Sequence, residues 1–434
     1  MPSALPMYQA ALRLALAAAP AAGWVSPRVR AGIQARRHAG ERLLEWSRSK
    51  RDPHRSLAWF HASSVGEGLQ ARSVLVAFRR LCPECQVVYT HFSPSAEGLA
   101  RHIEADVADY LPWDLTGNVG RLLQALAPDL LVFVKLDVWP ELSTRAAGSG
   151  SRVALVAGTV SPGSRRLWRP VRNVLRPGYR AMAAAAVIAQ EDGRRLQQLG
   201  VFPERIHVLG DPRFDSVAER VRGISPDDPL LRFGRGAPTL VAGSTWPADE
   251  RVLLLAFQEL RRVRSDARLI LVPHEPTPDC LARLEVSAAR VGIPAATRLS
   301  AADGPQALLL VDRMGVLATL YGAGTMAYVG GGFGRAGLHS VLEPAAWGLP
   351  VAFGPRWQNS RDAGLLLHAG GAVALPPQLR ESAATALCEQ WHRWITNEES
   401  RRAQGEAARQ VVERGLGAAE RSAQMLVELL RKSV

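Results

Sequence analysis

The chain of 434 residues lacks several features that would point to particular classes of protein. It has only four cysteines, and Cys82 and Cys85 form a single C-x-x-C with no second pair at zinc-finger spacing. This favours two reduced thiols in a cytosolic loop over a redox or metal site. The sequence also has no H-E-x-x-H motif, no D-x-D pair and no carboxylate cluster, so we expect no bound metal.

Long hydrophobic runs are missing as well, and the mean hydropathy is close to zero. The apolar run between Arg13 and Pro27 is too short to span a bilayer and is interrupted by Pro20. It is a poor signal peptide, because Arg13 is the only early positive charge and no good cleavage site follows. A helix here would carry one apolar face, formed by Tyr8, Leu12, Leu16 and Ala19.

Lysine is scarce, and arginine carries almost all of the net charge of +13. Residues 1–55 hold ten basic and three acidic side chains, and residues 151–190 hold seven arginines and no acid. Such stretches indicate an anionic partner. No helix-turn-helix, zinc-finger or RNP-like pattern accompanies the charge, so we expect no nucleic acid. An amphipathic helix before a basic stretch suits an anionic membrane surface, although the same helix could pack on its own domain.

Apolar, strand-like runs alternate with amphipathic helical stretches along the chain, which predicts an α/β fold of doubly wound parallel sheets. The predicted strands are SLAWFHAS, QVVYTHF, LLVFVKLD, VALVAG and AAVIAQ in the first half, and TLVAGST, RLILVPH, ALLLVD, MAYVGG and PVAFGP in the second. Helices are predicted from Glu67, over SAEGLARHIE and over 380–431.

Pro, Gly and charge interrupt this alternation once, which predicts two domains. The predicted parts are a membrane-association segment at 1–50, a Rossmann-like domain at 51–220, a linker at 221–238 and a second Rossmann-like domain with terminal helices at 239–434. Ligands of such folds bind at the carboxyl ends of the strands, so we expect the site in the cleft between the halves.

The clearest pattern in the second half is a strand that runs from Met326 into a glycine-rich turn, followed by a helix from about Ser340. Glycines after a strand let backbone N–H groups approach a phosphate, and a helix N-terminus adds a favourable dipole. Glu343 in the first turn could accept hydrogen bonds from ribose hydroxyls. Ser340 and Glu343 also match a capping box, which would be purely structural.

The first half has a parallel pattern after the strand that ends at His61. Glu67 would lie at a helix start, facing the cleft, where a carboxylate could act as general base. Gly66 before it would permit close approach of a ligand. Ser64 and Glu67 again match a capping box.

Two less specific candidate binding positions follow other strands of the second half. Ser244 and Thr245 could bind a phosphate or simply cap a helix. The side chain of His274 could bind a phosphate or a carboxylate, or it could have only a structural role. A mechanism without metal would need arginine, histidine and helix dipoles to stabilise a leaving phosphate.

Five segments, in order along nearly the whole chain, resemble motifs of the bacterial 3-deoxy-D-manno-octulosonic acid (Kdo) transferases. HASSVGE is similar to their HAxSVGE, DYLPWDL to Y-x-P-x-D-L, GDPRFD to GNLKFD and AGSTWP to AGSTHP. The segment VGGGFGRAGLHSVLEPAAWGLPVAFGP resembles VGGSLVxxGGHNxLEPAxxGxPVLFGP.

The resemblance implies a GT-B fold of two Rossmann-like domains facing a central cleft. It implies inverting, metal-independent transfer of Kdo from CMP-Kdo to a lipid A precursor, in lipopolysaccharide inner-core synthesis and without a cofactor. The first domain would bind the acceptor and the second the nucleotide sugar. The protein would be peripheral on the cytoplasmic face of the bacterial inner membrane.

The resemblance also implies roles for individual residues. Glu67 corresponds to the proposed catalytic base. Acceptor contacts are expected from Ser64, Gly66 and Asp137. Donor contacts are implied for Gly331, Gly332, His339, Glu343 and Asn359, and the strand-end and glycine-turn patterns add Ser244, Thr245, His274 and Gly337 to the expected donor contacts.

The sequence departs from the family pattern near the expected acceptor site. The family segment E-T-E-x-W-P-N-L is here KLDVWPEL, so Lys135 replaces its first acid. Two alternatives therefore stay open. The chain could be a GT-B transferase with another nucleotide sugar or acceptor, or a non-catalytic relative that binds nucleotide or lipid.

Overall fold

The computed structural model describes residues 5–25, 27–36, 38–293, 296–334, 337–377 and 380–431. The chain folds into two compact units. The first contains the residues up to Ser216 together with those from Leu416 onward, and the second is Val217–Gly415.

The first unit is built on a seven-stranded sheet in which all strands are parallel. Its strands are β1 (Leu57–His61), β2 (Gln86–His91), β3 (Val107–Tyr110), β4 (Leu130–Val134), β5 (Arg152–Gly158), β6 (Met182–Val187) and β7 (Ile206–Val208). Their order is β3-β2-β1-β4-β5-β6-β7. The central strands β1 and β4 are buried along their whole length, because helices cover both faces of the sheet.

Helices of the first unit come from both ends of the chain. They are α1 (Leu5–Val25), α2 (Pro27–Ala35), α3 (Glu41–Ser49), α4 (Val65–Leu81), α5 (Glu97–Ala100), α6 (Thr116–Leu126), α7 (Pro140–Gly148), α8 (Arg169–Arg180), α9 (Gln190–Leu199) and α18 (Ala418–Arg431). A further helix, α10 (Pro212–Arg222), passes from the first unit into the second.

The second unit repeats the architecture. Its parallel strands are β8 (Thr239–Thr245), β9 (Arg268–Pro273), β10 (Thr297–Arg298), β11 (Leu308–Leu310), β12 (Met326–Val329), β13 (Val351–Phe353) and β14 (Ala372–Ala374), in the order β10-β11-β9-β8-β12-β13-β14. Its helices are α11 (Pro247–Val263), α12 (Pro278–Arg290), α13 (Leu317–Tyr321), α14 (Leu342–Ala346), α15 (Arg361–His368), α16 (Arg380–Thr396) and α17 (Glu398–Arg414).

The predicted α/β class of two doubly wound domains, the GT-B architecture, is confirmed. Each of the ten predicted strands exists. The strands that the sequence did not indicate (β3, β7, β10 and β14) are two to four residues long and lie at or next to sheet edges, where little apolar patterning is needed. The helix predicted over SAEGLARHIE is shorter in the structure. Only α5 is α-helical, because a 3-10 turn, Pro94–Ala96, takes up the residues before it.

The N-terminal segment 1–50 is only partly available to a membrane. Leu43 and Trp46 of α3 are buried in the core of the first unit, and Gln9 of α1 donates to the carbonyl of Asp114 at 2.8 Å. The predicted apolar face of α1 is half-buried at Tyr8, Leu12 and Leu16; the side chain of Ala19 lies outside the described residues. Within the described part of the chain, every helix is too short or too polar to cross a membrane.

Cys82 and Cys85 differ from the expected reduced thiols, since the structure joins them in a disulfide. Both are buried against the core below α4, and the N–H of Cys85 closes a tight turn onto the carbonyl of Cys82 at 3.2 Å. With Glu84 they form a group that resembles a metal site. The disulfide leaves no thiolate pair there to bind a cation.

The last helix corrects the predicted division of the chain, which placed all of 239–434 in the second domain. Helix α18 packs on α4, and Ala423, Leu426 and other apolar side chains join the core of the first sheet. The carboxylate of Asp215 accepts from the N–H groups of Gly417 and Ala419 at 2.6 and 2.9 Å and so caps this helix. The segment 221–238 is also more ordered than a plain linker, since Phe233 lies in the core of the second unit.

Replacing Asp215 by alanine should therefore lower the free energy of unfolding by about 1–2 kcal/mol, the usual cost of a lost N-terminal cap. The measurement is chemical denaturation followed by circular dichroism. Asp227→Ala, at an exposed aspartate, is the matched control and should change stability by less than about 0.5 kcal/mol. Equal midpoints for the two variants would contradict the capping role.

Candidate functional site

The first candidate site lies where the strand order of the first sheet reverses, between β1 and β4. The chain leaves β1 towards one edge strand and leaves β4 towards the other, so the loops after these two strands diverge and leave space at their carboxyl ends. Ser63 to Glu67 follow β1, and Lys135 to Asp137 follow β4. The fold thus brings Glu67 and Asp137, two predicted site residues, to the same edge.

Glu67 begins helix α4 in the predicted capping box. The N–H of Ser64 donates to Glu67 Oε2 at 3.1 Å, and the N–H of Glu67 donates to Ser64 Oγ at 3.4 Å. The other carboxylate oxygen, Oε1, has no hydrogen bond to a described residue. Burial, and secondly the charge of Asp137, raise the pKa of Glu67 above its ordinary value of 4.5, while Lys135 and the Ser64 bonds act against them. One carboxylate can therefore both cap the helix and accept a proton.

A chain of hydrogen bonds fixes His61 at the end of β1. Trp139 Nε1 can only donate, and it donates to His61 Nε2 at 3.0 Å. Nδ1 must then carry the proton, which it donates to Thr90 Oγ1 at 3.0 Å. Complete burial lowers the pKa of His61 to about 4, so the ring is neutral near pH 7. His61 orients the β1 and β4 loops and adds no charge.

Asp137 is held from two sides. Ser63 Oγ donates to Asp137 Oδ2, and Arg166 Nη2 donates to Oδ1 at 3.2 Å. Of the other predicted acceptor contacts, Ser64 is engaged in the cap and Gly66 faces open space.

Sequence reasoning did not select His61, Ser63, Trp139 or Arg166 as site residues. His61 and Ser63 stand in the HASSVGE segment, and Trp139 stands in KLDVWPEL, so their positions in these motifs were the available signal. Nothing in the sequence links Arg166 to Asp137.

The second candidate site lies at the corresponding reversal in the second sheet, between β8 and β12. Here the glycines allow close backbone approach. A Cβ at Gly330 would lie 2.3 Å from the carbonyl oxygen of Ser244, and Gly331 has a φ of 97°, where a Cβ would lie 2.0 Å from the carbonyl oxygen of Gly337. Both positions therefore require glycine.

A buried carboxylate, Asp249, holds this turn. Its Oδ2 accepts from the N–H groups of Gly331 and Trp246 at 2.9 and 3.0 Å, and its Oδ1 accepts from Tyr328 Oη at 2.9 Å. Burial raises the pKa of Asp249, while these hydrogen bonds oppose the rise. Asp249 was missed as a site residue, although its place at the third position of α11, after Pro247, is a capping signal.

Three rings stack beside the glycine turn. Trp246 Nε1 donates to His339 Nε2 at 2.9 Å, and the ring of His274 lies 4.7 Å from that of Trp246 and 4.5 Å from that of His339. Burial and the neighbouring His274 lower the pKa of His339. The structure thus brings together two of the predicted donor residues, His274 and His339, on a flat aromatic support.

Glu343 does not form the capping box with Ser340 that the sequence allowed. Helix α14 is capped at Val341, and Ser340 Oγ accepts weakly from the N–H of Leu342 rather than pairing with Glu343. Instead Glu343 Oε1 accepts from Arg220 Nη1 at 2.6 Å, and the carboxylate is largely buried. Glu343 is therefore a fixed, paired carboxylate.

Of the remaining predicted donor residues, two line a pocket and the other three are engaged in packing or in the backbone turn. Gly337 and Asn359 line a pocket of about 360 Å³ together with Gly334, Arg356 and Gln358. Gly332 packs on the backbone of Gly354. Ser244 has a left-handed φ of 53°, while the hydroxyl of Thr245 is buried and donates to Glu250 at 3.4 Å.

Comparison with known proteins shows which other chains this one resembles. A family model described as 3-deoxy-D-manno-octulosonic-acid transferase matches residues 37–216. The chain is 29% identical over 329 residues to the 3-deoxy-D-manno-octulosonic acid transferase of Chlamydophila psittaci, covering 74% of each chain. It is 28% identical over 389 residues to that of Bordetella pertussis, covering 86% of this chain and 87% of the relative.

Among solved structures, the chain resembles the UDP-GlcNAc 2-epimerase of Neisseria meningitidis bound to UDP-GlcNAc. The TM-score is 0.62 at 14% identity, with 87% of this chain and 100% of the other covered. At this identity the likeness concerns the fold alone.

Asp249→Ala should lower the free energy of unfolding by about 2–4 kcal/mol, because two buried N–H groups and a buried hydroxyl lose their acceptor. Asp249→Asn should cost less, since its amide oxygen can face the N–H groups while its nitrogen donates to Tyr328 Oη. Denaturant titration of both variants measures the difference. Identical losses in Ala and Asn would show that the hydrogen bonds do not hold the turn.

Proposed function

Since this chain belongs to the 3-deoxy-D-manno-octulosonic acid transferase family and is a glycosyltransferase of that type, we propose that it transfers Kdo from CMP-Kdo to a lipid A precursor. The transfer would invert the anomeric configuration and proceed without a metal ion. The reaction would serve lipopolysaccharide inner-core synthesis.

The observation that carries the proposal is the carboxylate of Glu67 at the β1–β4 edge. Oε1 has no partner among the described residues, and the raised pKa makes the carboxylate a better proton acceptor. In the proposed step Oε1 takes the proton of an acceptor hydroxyl while that oxygen forms the new bond to the anomeric carbon. The bond from this carbon to the CMP phosphate breaks, and the electron pair leaves with CMP. A single displacement of this kind inverts the anomeric centre.

On the donor side we assign the phosphate of CMP-Kdo to the backbone of Gly331 and Gly332 and to His339, with His274 beside it. The N–H groups of glycine turns and imidazole rings can stabilise the negative charge that develops on a leaving phosphate. Glu343, fixed by Arg220, is suited to accept hydrogen bonds from the ribose hydroxyls. Gly337 and Asn359 would line the same donor site, whereas Ser244 and Thr245 would shape it through the backbone.

A membrane surface is the second partner that we propose. Helices α1 and α8 are in contact, and both expose apolar side chains: Met7 and Leu14 on α1, and Trp168 and Val171 beside or on α8. Exposed arginines lie on α8 or just before it, at positions 165, 169, 176 and 180. Apolar side chains within a basic surface suit the interface of an anionic bilayer. This would place the acceptor domain at the cytoplasmic face of the inner membrane, as a peripheral protein.

Glu67→Gln should lower turnover by on the order of a hundredfold or more, since an amide cannot take the proton. Gln can still complete the capping box, so the unfolding midpoint should stay unchanged. The assay is mass spectrometry of a reaction that contains the full chain, CMP-Kdo generated in place and a tetra-acylated lipid A precursor.

Ser64→Ala is the stability control: it removes the oxygen that accepts from the N–H of Glu67, so it should lower the unfolding midpoint where Glu67→Gln does not. Wild-type turnover in Glu67→Gln would refute the assignment of the base. Donor binding without any transfer by the wild type would favour another acceptor, or the non-catalytic relative. Transfer from a different nucleotide sugar would favour the remaining alternative.

Changing Leu14 to Glu together with Trp168 to Ala should weaken binding to vesicles of mixed phosphatidylglycerol and phosphatidylcholine by about tenfold or more, because less apolar surface enters the interface. Cosedimentation measures the bound fraction. Met314→Glu, at an exposed apolar residue of the second unit, is the matched control and should bind as the wild type does. Equal binding by both variants would show that α1 and α8 do not form the membrane surface.

A further inference from the structure

Lys135 is a residue with an unusual backbone at the proposed catalytic edge. Its φ is 65°, in the left-handed region that lysine rarely adopts, directly after the last residue of β4. Its N–H still donates to the carbonyl of Val156 on β5 at 2.8 Å. The strand ladder is thus kept while the chain turns. Strain of this kind costs about 1–3 kcal/mol and concentrates at functional positions.

Strand pairing brings Lys135 to the same sheet edge as the residues that follow β1. Phe133 of β4 pairs with His61, the last residue of β1, and Lys135 directly follows the end of β4. The ammonium is close enough to lower the pKa of Glu67. Lys135 therefore belongs to the same edge as the proposed base.

The Lys135 ammonium makes no ion pair with a described residue at this edge, although it attracts the carboxylate of Glu67 from beyond ion-pair distance. Asp137 is engaged by Ser63 and Arg166, Glu67 by the helix cap, and His61 is neutral. Among the described residues, none forms a hydrogen bond or an ion pair with the Lys135 side chain, which is half-buried. A partly desolvated ammonium with no partner is unfavourable by itself and favourable beside an anion.

We propose that Lys135 binds an anionic group of the acceptor, a phosphate or a carboxylate, and so places the neighbouring acceptor hydroxyl against Glu67. The inference rests on the proposed function, because Glu67 is taken as the base. It goes beyond that function by naming the residue that selects a charged acceptor. Lysine is suited to this role, since its ammonium attracts phosphate or carboxylate as a compact charge without a fixed fork geometry.

Lys135 would also tune the base, because it opposes the rise in the pKa of Glu67. The two roles make different predictions. Loss of acceptor binding changes the dissociation constant and KM for charged acceptors. Loss of tuning alone raises the pKa of Glu67 further and moves the acid limb of the pH–rate profile to higher pH, with acceptor binding unchanged.

The experiment measures binding of detergent-dispersed acceptors to the full chain, so it does not depend on turnover. Three acceptors are used: the tetra-acylated lipid A precursor, the same lipid after removal of its phosphates, and the precursor already carrying one Kdo. Lys135→Gln should weaken binding of the phosphorylated precursor about 10–100-fold, the worth of a charged hydrogen bond, and Lys135→Arg should restore most of it. Lys50→Met, at an exposed lysine of the same unit, is the matched control.

The comparison of acceptors identifies the anion. If the loss disappears for the dephosphorylated lipid, Lys135 binds phosphate; if it appears only with the Kdo-bearing lipid, Lys135 binds the sugar carboxylate. Lys135→Gln that binds all three lipids as the wild type does, with or without a displaced acid limb, overturns the proposal. A wild type that shows Lys135-dependent binding but no transfer leaves this proposal standing and refutes the proposed reaction instead.

Discussion

Parallel pairing of β1 with β4 and of β8 with β12 is the constraint on which both candidate sites depend. In each sheet these two strands are the point where the connections change direction, so no helix crosses over their carboxyl ends. The residues that follow them are left at an open edge, while the four strands are buried at every position except Ser244. A rigid, apolar layer can in this way present polar side chains such as Glu67 and His339 without exposing its own core.

Buried or half-buried carboxylates then decide the shape of the loops. Asp249 holds the glycine turn of the second unit, Asp215 caps the last helix, and Asp114 accepts from the N–H groups of Glu141 and Leu142 at the start of α7. Each stands in a segment with family resemblance or directly beside one. In these segments the carboxylates hold backbone N–H groups, so part of the family resemblance falls on residues that support the loops around the candidate sites.

In the first site, opposing electrostatic effects set the pKa of Glu67. Burial and Asp137 raise the pKa of Glu67, whereas Lys135 and the helix cap lower it. A base needs both effects, since a carboxylate that is too acidic accepts no proton and one that is too basic is already protonated. In this chain Lys135 supplies part of that balance, so an anion bound beside it would change the pKa of Glu67.

The sequence by itself determined the α/β class, the central strands, the two domains and the segments that contain Glu67 and the glycine turn, because apolar periodicity and turn residues are local signals. It left the short outer strands unseen, since they carry little pattern. Only the tertiary structure decided that α18 belongs to the first unit, that Arg220 pairs with Glu343, that Arg166 pairs with Asp137, and that Lys135 makes no ion pair with a described residue. Such contacts join residues far apart in the chain, and their partners are selected by packing and burial, which no local pattern encodes.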